Sequence, residues 1–338
     1  MKAVNLEKPF EIAIKEIPDA APKAGEALIR VRAVGICGSD IGAYRGTNPL
    51  VSYPRIIGHE VVGEVLSIPE NKRGIKAGDR VVVDPYLFCG HCYPCSIGRT
   101  NCCEDLHVLG VHVDGGMSET MTHPADMLVP LPDGLSWELA VMAEPLTIAL
   151  HAIHRTKLSK GEHFVINGAG AIGMLAALAA IDYGAIPILV DPLQARLDHA
   201  GTLGVKHLIN LSKVDAIEEI RKITNGRMAE VVMEASGASA AIRNTLDMVS
   251  YAGRIAFTGW PKGETSLPTT LITKKELDLR GSRVSVGEFD EALELIASGR
   301  VNVMGVVSKM VTLDEVPEMV RELSDHPEQY LKINALVD

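Results

Sequence analysis

The sequence predicts an α/β protein of two domains, one built on a parallel, doubly wound sheet and the other rich in β-strand. Three observations carry this. The chain has 338 residues, more than one hydrophobic core ordinarily organises. Its texture changes just after Glu144-Pro145, from β-branched runs punctuated by Gly and Pro to apolar strands alternating with helices. A Gly-x-Gly-x-x-Gly turn then stands between one of those strands and the helix that follows it.

Residues 1–148 contain segments such as ALIRVRAVGI and DRVVVDP, which read as strands of a β-rich domain. Over 149–285 the grammar is βαβ: a helix (LTIALHAIHR), a strand (HFVIN), the Gly turn, a helix (MLAALAAIDYG) and a strand (PILVD). Such alternation implies a parallel sheet with helices on both faces. In 286–338, Leu293 and Ile296, then Val316, Val320 and Leu323, fall at helical spacing, and YLKINALV reads as a strand. This last segment is expected to complete the β-rich domain, with the βαβ domain inserted between.

Composition removes several classes of function. A net charge of −10 argues against a general surface for nucleic acid or anionic membrane; an anionic small molecule is still compatible, because one local Arg outweighs a diffuse acidic field. No apolar run reaches the roughly 20 residues needed to cross a bilayer. The opening MKAVNLEKPFEIAIKEIP lacks the uninterrupted apolar stretch of a signal peptide. The expected location is the cytoplasm, where clustered cysteines read as metal ligands rather than disulfides.

In the Gly turn, Gly168 permits the tight bend, Gly170 lets backbone approach a pyrophosphate, and Gly173 lets helix and strand pack closely. Ile172 lies in the first turn of the helix, whose amides point at an anion. Asp191 ends the next predicted strand, 18 residues beyond Gly173, where a carboxylate accepts both ribose hydroxyls and repels a 2′-phosphate. NAD is therefore expected rather than NADP, a preference tempered by Arg196 one helical turn on. Ser236, Thr258 and Gly259 follow later predicted strands and are candidates for the nicotinamide half.

Five of the six cysteines fall within residues 89–103. Cys89, Cys92 and Cys95, with Cys103 or its neighbour Cys102, supply four thiolates in one short loop, enough to close a tetrahedral shell around zinc. A closed shell is structural. Outside the loop stand Cys37 in VGICGSD, His59 followed by Glu60 in IGHE, and Glu144 in AEP. A thiolate, an imidazole and a carboxylate from separated loops can make a three-ligand site with an open position. Residue types alone leave that set undecided against ordinary core and surface positions.

The ordered series GICGSD, GHE, CGHCYPC, AEP and GxGxxG resembles the zinc-dependent medium-chain dehydrogenases, over essentially the whole chain. The resemblance implies a GroES-like catalytic domain around an inserted Rossmann domain, two zinc ions per subunit, and a homodimer or homotetramer. It implies Cys103 as the fourth ligand of the closed zinc. It also implies Cys37, His59 and Glu144 around the catalytic zinc, with Glu60 as an exchange ligand. Asp40 matches the acid that orients the ligating imidazole, and Ser39 the hydroxyl that takes the substrate's proton. Where many relatives carry a relay His, five residues after the zinc cysteine, this chain has Gly42. The proton is then expected to leave through Glu60, Glu144 or water.

Within that family the chain is most similar to the sugar-acid branch, the L-idonate, L-galactonate and L-gulonate 5-dehydrogenases. This implies oxidation at C5 of a hexonate, such as L-gulonate to fructuronate, with L-threonine or a sorbitol-like polyol as the other substrate readings. Arg283, in GSRVSVGEF, aligns with a pocket arginine of polyol dehydrogenases. Its guanidinium suits a carboxylate or vicinal hydroxyls, or else a cofactor phosphate. Tyr44 and His112 are further pocket candidates.

Overall fold

The computed structural model describes residues 1–261 and 263–338. The chain divides into two compact units. One comprises Met1–Glu144, Phe289–Ser298 and Val303–Asp338; the other comprises Pro145–Glu288 and Gly299–Asn302. The two main crossings lie at 144/145 and 288/289, against the sequence expectation of 148/149 and 285/286, and the chain returns briefly to the second unit over 299–302. The first falls inside the continuous helix Ala143–Thr156, so no loop marks it in the sequence.

The first unit is organised by the strand Glu26–Ile36. Its burial alternates from Ala27 to Ala33, as expected of a strand with one covered face. From Ala33 to Ile36 every residue is buried, so both faces are covered as the strand approaches Cys37. Glu60–Ser67 runs antiparallel along residues 28–35. Thr120–Pro124 pairs with residues 26–30 and the C-terminal strand Lys332–Leu336 with residues 33–36. The sheet continues through Arg80–Val83 and Leu128–Pro130 on one side and Val307–Thr312 on the other. A smaller sheet joins Glu11–Glu16, Lys2–Lys8 and Arg55–Ile56. Val31, Val34, Val61, Met117, Leu128 and Ile333 are among the fully buried side chains of this core.

The second unit is a six-stranded parallel sheet in the order His207–Asn210, Ile186–Asp191, His163–Asn167, Ala229–Glu234, Val249–Phe257, Asp278–Gly281. The order reverses direction at His163–Asn167. Right-handed crossovers then place helices on opposite faces and open a crevice at the carboxyl ends of the central strands. The helix Ala171–Asp182 has eight buried residues, Gly173 to Ala180, matching a sequence that is apolar nearly all round. No helix of the described residues is long and apolar enough to cross a membrane.

One buried polar residue of the first unit gives its stability a pH dependence. His123 is 1% exposed, and its Nε2 donates to the Asp84 carbonyl oxygen at 2.8 Å. Burial pushes its pKa down from 6.5 to about 4. The unfolded chain therefore binds the proton more tightly, and the contribution is fully present above pH 6.5 and lost as pH falls toward 4. Between pH 7 and 5 this amounts to about 2 kcal/mol. Urea denaturation of the parent and of His123→Asn at both pH values should show a shallower pH dependence in the variant. Parallel pH profiles would rule this contribution out.

Candidate active site and metal centres

The strand Glu26–Ile36 delivers Cys37 to the N-cap of the helix Gly38–Tyr44. Asp40, three residues on and 1% exposed, accepts the Cys37 N–H at 2.8 Å and the Gly58 N–H at 3.3 Å. One buried carboxylate thus pins both segments that carry the expected ligands. These bonds go to backbone rather than to the imidazole: His59 Nδ1 is buried and has no hydrogen-bond partner among the described residues.

The ligand atoms of Cys37, His59 and Glu60 all lie within 4.8 Å of one another. Glu144 stands outside that trio, its carboxylate accepting the Tyr86 hydroxyl in a short hydrogen bond. Glu60 is gripped from the other side by Lys332 Nζ, which also donates to the Ile36 carbonyl oxygen at 3.0 Å. Gly35 makes room for this: a Cβ there would run into the Glu60 carboxylate.

The electrostatics of the pocket favour positive charge. Burial opposes charging His59, yet the Cys37 sulfur, Glu144 and Asp40 hold its pKa well above the ordinary value. Burial, against the pull of His59 and with a push from Glu60, raises Glu144 from 4.5 to about 7. Burial and then Glu144 push Tyr86 well up.

Cys89, Cys92, Cys95 and Cys103 form a second group with sulfurs within 4.8 Å of one another. Cys92 Sγ is 3.4 Å from Cys95 Sγ and 3.8 Å from Cys103 Sγ. The amides of Cys89 and Asp105 each donate to Cys103 Sγ at 3.3 Å. The backbone donors Glu104 and Cys95 pull Cys92 down to about 6. Cys102 points elsewhere, toward the Arg99 guanidinium at 3.5 Å. All six cysteines are free.

In the second unit Gly168 has φ +119°, and a Cβ at Gly173 would collide with the Gly168 carbonyl oxygen. Nothing lies within 4 Å of where a Cβ at Gly170 would stand, so the turn leaves an open cradle before the helix N-terminus. Asp191 is buried, accepting the Ala169 N–H at 2.7 Å and the Leu193 N–H at 2.8 Å. Its carboxylate thereby braces the Gly turn. Thr258 Oγ1 is buried with no hydrogen-bond partner among the described residues.

Residues 23–133 match the alcohol dehydrogenase GroES-like domain and residues 171–298 the zinc-binding dehydrogenase domain. An uncharacterized zinc-type alcohol dehydrogenase-like protein of Haemophilus influenzae is 59% identical, over 99% of this chain and 98% of its own. The L-galactonate-5-dehydrogenase of Escherichia coli is 37% identical, over 89% and 88%. The NADH complex of the alcohol dehydrogenase RspB from Escherichia coli CFT073 superposes with a TM-score of 0.92, at 31% identity and 99% coverage of both chains. The chain belongs to the zinc-dependent alcohol dehydrogenase family.

As an oxidoreductase of that family, the dehydrogenase has donor sets of the right chemistry for both metals. The four-sulfur group is closed. The trio pairs soft and hard donors with a buried imidazole nitrogen that lacks a protein partner. Two residues after Cys37, Ser39 Oγ is also buried without a hydrogen bond among the described residues. The open cradle at Gly170 and the unpartnered Thr258 hydroxyl suit a dinucleotide in the same way.

Other sequence candidates are placed less directly. Tyr44 is 7% exposed and meets Phe10 edge-on at 5.3 Å between ring centroids. His112 accepts the Val108 N–H at 3.1 Å and stacks on His107, so its ring organises its own loop. Ile172, Arg196 and Gly259 are half-buried, while Ser236 and Arg283 are exposed. Sequence reasoning missed Tyr86 and Lys332. A lysine inside the apolar terminal strand KINAL was the available signal for the second; nothing in PYLFC singled out the first.

Metal analysis of the purified dehydrogenase should find about two zinc ions per chain. Cys95→Ser should lose one of them and lower Tm by about 10 °C, because metal binding contributes directly to folding. Cys37→Ser should also lose one but keep most of the Tm. Unchanged zinc in Cys95→Ser would remove the four-sulfur site.

Proposed function

We propose that the dehydrogenase oxidises a secondary hydroxyl of a sugar acid to the ketone, at C5 of a hexonate such as L-gulonate, using NAD. The observation that carries the reaction type is the Cys37/His59/Glu60 trio, with His59 and Glu60 buried, together with the buried Ser39 hydroxyl two residues after Cys37, which has no hydrogen-bond partner among the described residues. The substrate class rests on the likeness to the Escherichia coli L-galactonate-5-dehydrogenase. The preference for NAD over NADP rests on Asp191, a buried carboxylate at a strand end beside the Gly turn.

In this reading Cys37, His59 and Glu60 or Glu144 hold the catalytic zinc, and Cys89, Cys92, Cys95 and Cys103 the structural one. When bound, zinc supplies a Lewis acid for the substrate hydroxyl and the dinucleotide accepts the hydride. Asp40 fixes the spacing of the Cys37 and His59 segments through their backbone. Lys332 keeps the Glu60 carboxylate at the edge of the trio. Ser39 takes the substrate's proton. Gly42 offers no relay imidazole, so the proton passes on through Glu60, Glu144 or water. Arg283 meets the substrate carboxylate, with Tyr44 and His112 at the margins of the pocket. The enzyme works in the cytoplasm as a homodimer or homotetramer.

NADH formation across L-gulonate, L-galactonate, L-idonate, sorbitol and L-threonine tests this directly. A hexonate should exceed sorbitol and threonine in kcat/KM by about tenfold or more. A higher kcat/KM on sorbitol or threonine would move the enzyme to that substrate class. Arg283→Ala should raise KM for the hexonate about tenfold while leaving that for sorbitol nearly unchanged. Equal losses on both would take the carboxylate away from Arg283.

A further inference from the structure

Glu234 ends the strand Ala229–Glu234 and is 0% exposed. Among the described residues it forms no ion pair. Its oxygens are satisfied instead by the loop that follows. Oε1 accepts from Ser236 N at 2.9 Å, from Ser236 Oγ at 2.5 Å and from Gly237 N at 3.1 Å; Oε2 accepts from Gly237 N at 3.2 Å. Its backbone carbonyl meanwhile accepts from Thr258 N at 2.9 Å and Gly259 N at 3.0 Å. One residue therefore holds the loops after two adjacent strands.

The glycines show how tightly these loops interlock. Gly237 has φ +70°, and a Cβ on it would press on the Trp260 backbone at 2.8 Å. A Cβ on Gly259 would collide with Gly237 N and approach Glu234 Oε2 to 2.5 Å. The first loop also touches the Gly-rich turn: Ala235 N donates to the Asn167 carbonyl oxygen at 3.0 Å, and a Cβ on Gly168 would lie 3.2 Å from Ser236 N. The interlocked pair thus lies at the carboxyl edge of the sheet, against the turn that receives the pyrophosphate.

A fully buried carboxylate is an expensive way to end a strand. Here it fixes the directions of two backbone amides and a hydroxyl, which a neutral apolar side chain would leave unpaired. We propose that Glu234 is a positioning residue for the dinucleotide, tying residues 235–237 and 258–259 into one rigid cradle for its nicotinamide half. This rests on the family's dinucleotide chemistry and not on the sugar-acid reading. NADH binding can be read with no substrate present, so the two fail separately.

The experiment compares the zinc-loaded parent with Glu234→Gln, whose side chain keeps one acceptor oxygen and turns an NH2 group toward the loop donors. Without cofactor, amide exchange in residues 235–237 and 258–259 should quicken about tenfold. The Kd for NADH by fluorescence titration and the KM for NAD should both rise about tenfold. The kcat at saturating NAD should stay within about threefold, and zinc should remain unchanged. Ser236→Ala, which removes only the hydroxyl donor, should weaken NADH about threefold, and adding it to Glu234→Gln should cost nothing more. Faster exchange with NADH affinity within about twofold of the parent, unchanged exchange, or additive losses in the double variant would each overturn the proposal. If Glu234→Gln does not fold, Ser236→Ala decides: unchanged exchange and NADH affinity overturn it.

Discussion

The catalytic unit is built around a concentration of buried charge that its own residues do not neutralise. Asp40, Glu60 and Glu144 are each no more than 2% exposed, and only Lys332 at 4% and His59 at 7% stand against them. The Cys37 sulfur, Glu144 and Asp40 drive His59 toward its charged form despite burial. Such a cluster is tolerable in a low-dielectric interior only if every member is tied down and a cation completes it. The ties come from chain segments far apart in sequence: residues 37–40, 58–60, 86, 144 and 332. Much of the first unit's topology can be read as the framework that makes these segments converge.

That framework explains why the C-terminal strand belongs to the first unit. Lys332–Leu336 pairs with residues 33–36, directly before Cys37, and this register points Lys332 at Glu60. Gly35, opposite Glu60 on the neighbouring strand, cannot carry a side chain without displacing that carboxylate. Backbone pairing, a glycine and a buried ion pair thus act on the same few atoms. The four-sulfur group is organised on the opposite plan. Its donors lie within residues 89–103, and backbone amides supply the outer hydrogen bonds.

This difference in plan governs what was legible in the sequence. The four-sulfur group could be read from spacing because its geometry is local; only the choice of Cys103 over Cys102 needed the family resemblance. The Gly turn was legible for the same reason, strand, glycines and helix being contiguous. The trio around Cys37 was not, since proximity across a sheet leaves no periodic trace, and Lys332 and Tyr86 went unread. Asp40 shows a subtler gap. Its residue type fitted an acid facing the imidazole, whereas its hydrogen bonds run to the Cys37 and Gly58 amides. A side chain's type does not reveal whether it serves a neighbouring side chain or the backbone.

At the carboxyl edge of the second unit's sheet the same lesson applies to cofactor binding. Asp191 and Glu234 end strands on either side of His163–Asn167, both are buried, and both accept amides from loops at the strand ends. Asp191 already receives the Ala169 and Leu193 amides, so only its remaining lone pairs face a ribose. A carboxylate held by fixed amides is a better discriminator than a mobile one. In the proposed preference for NAD, such a carboxylate does not swing away from a 2′-phosphate, so the repulsion would fall fully on NADP. In the proposed reading, rigidity at Asp191 and Glu234 serves two ends of one ligand: refusal of a phosphate at the adenosine ribose, and a prepared surface for the nicotinamide.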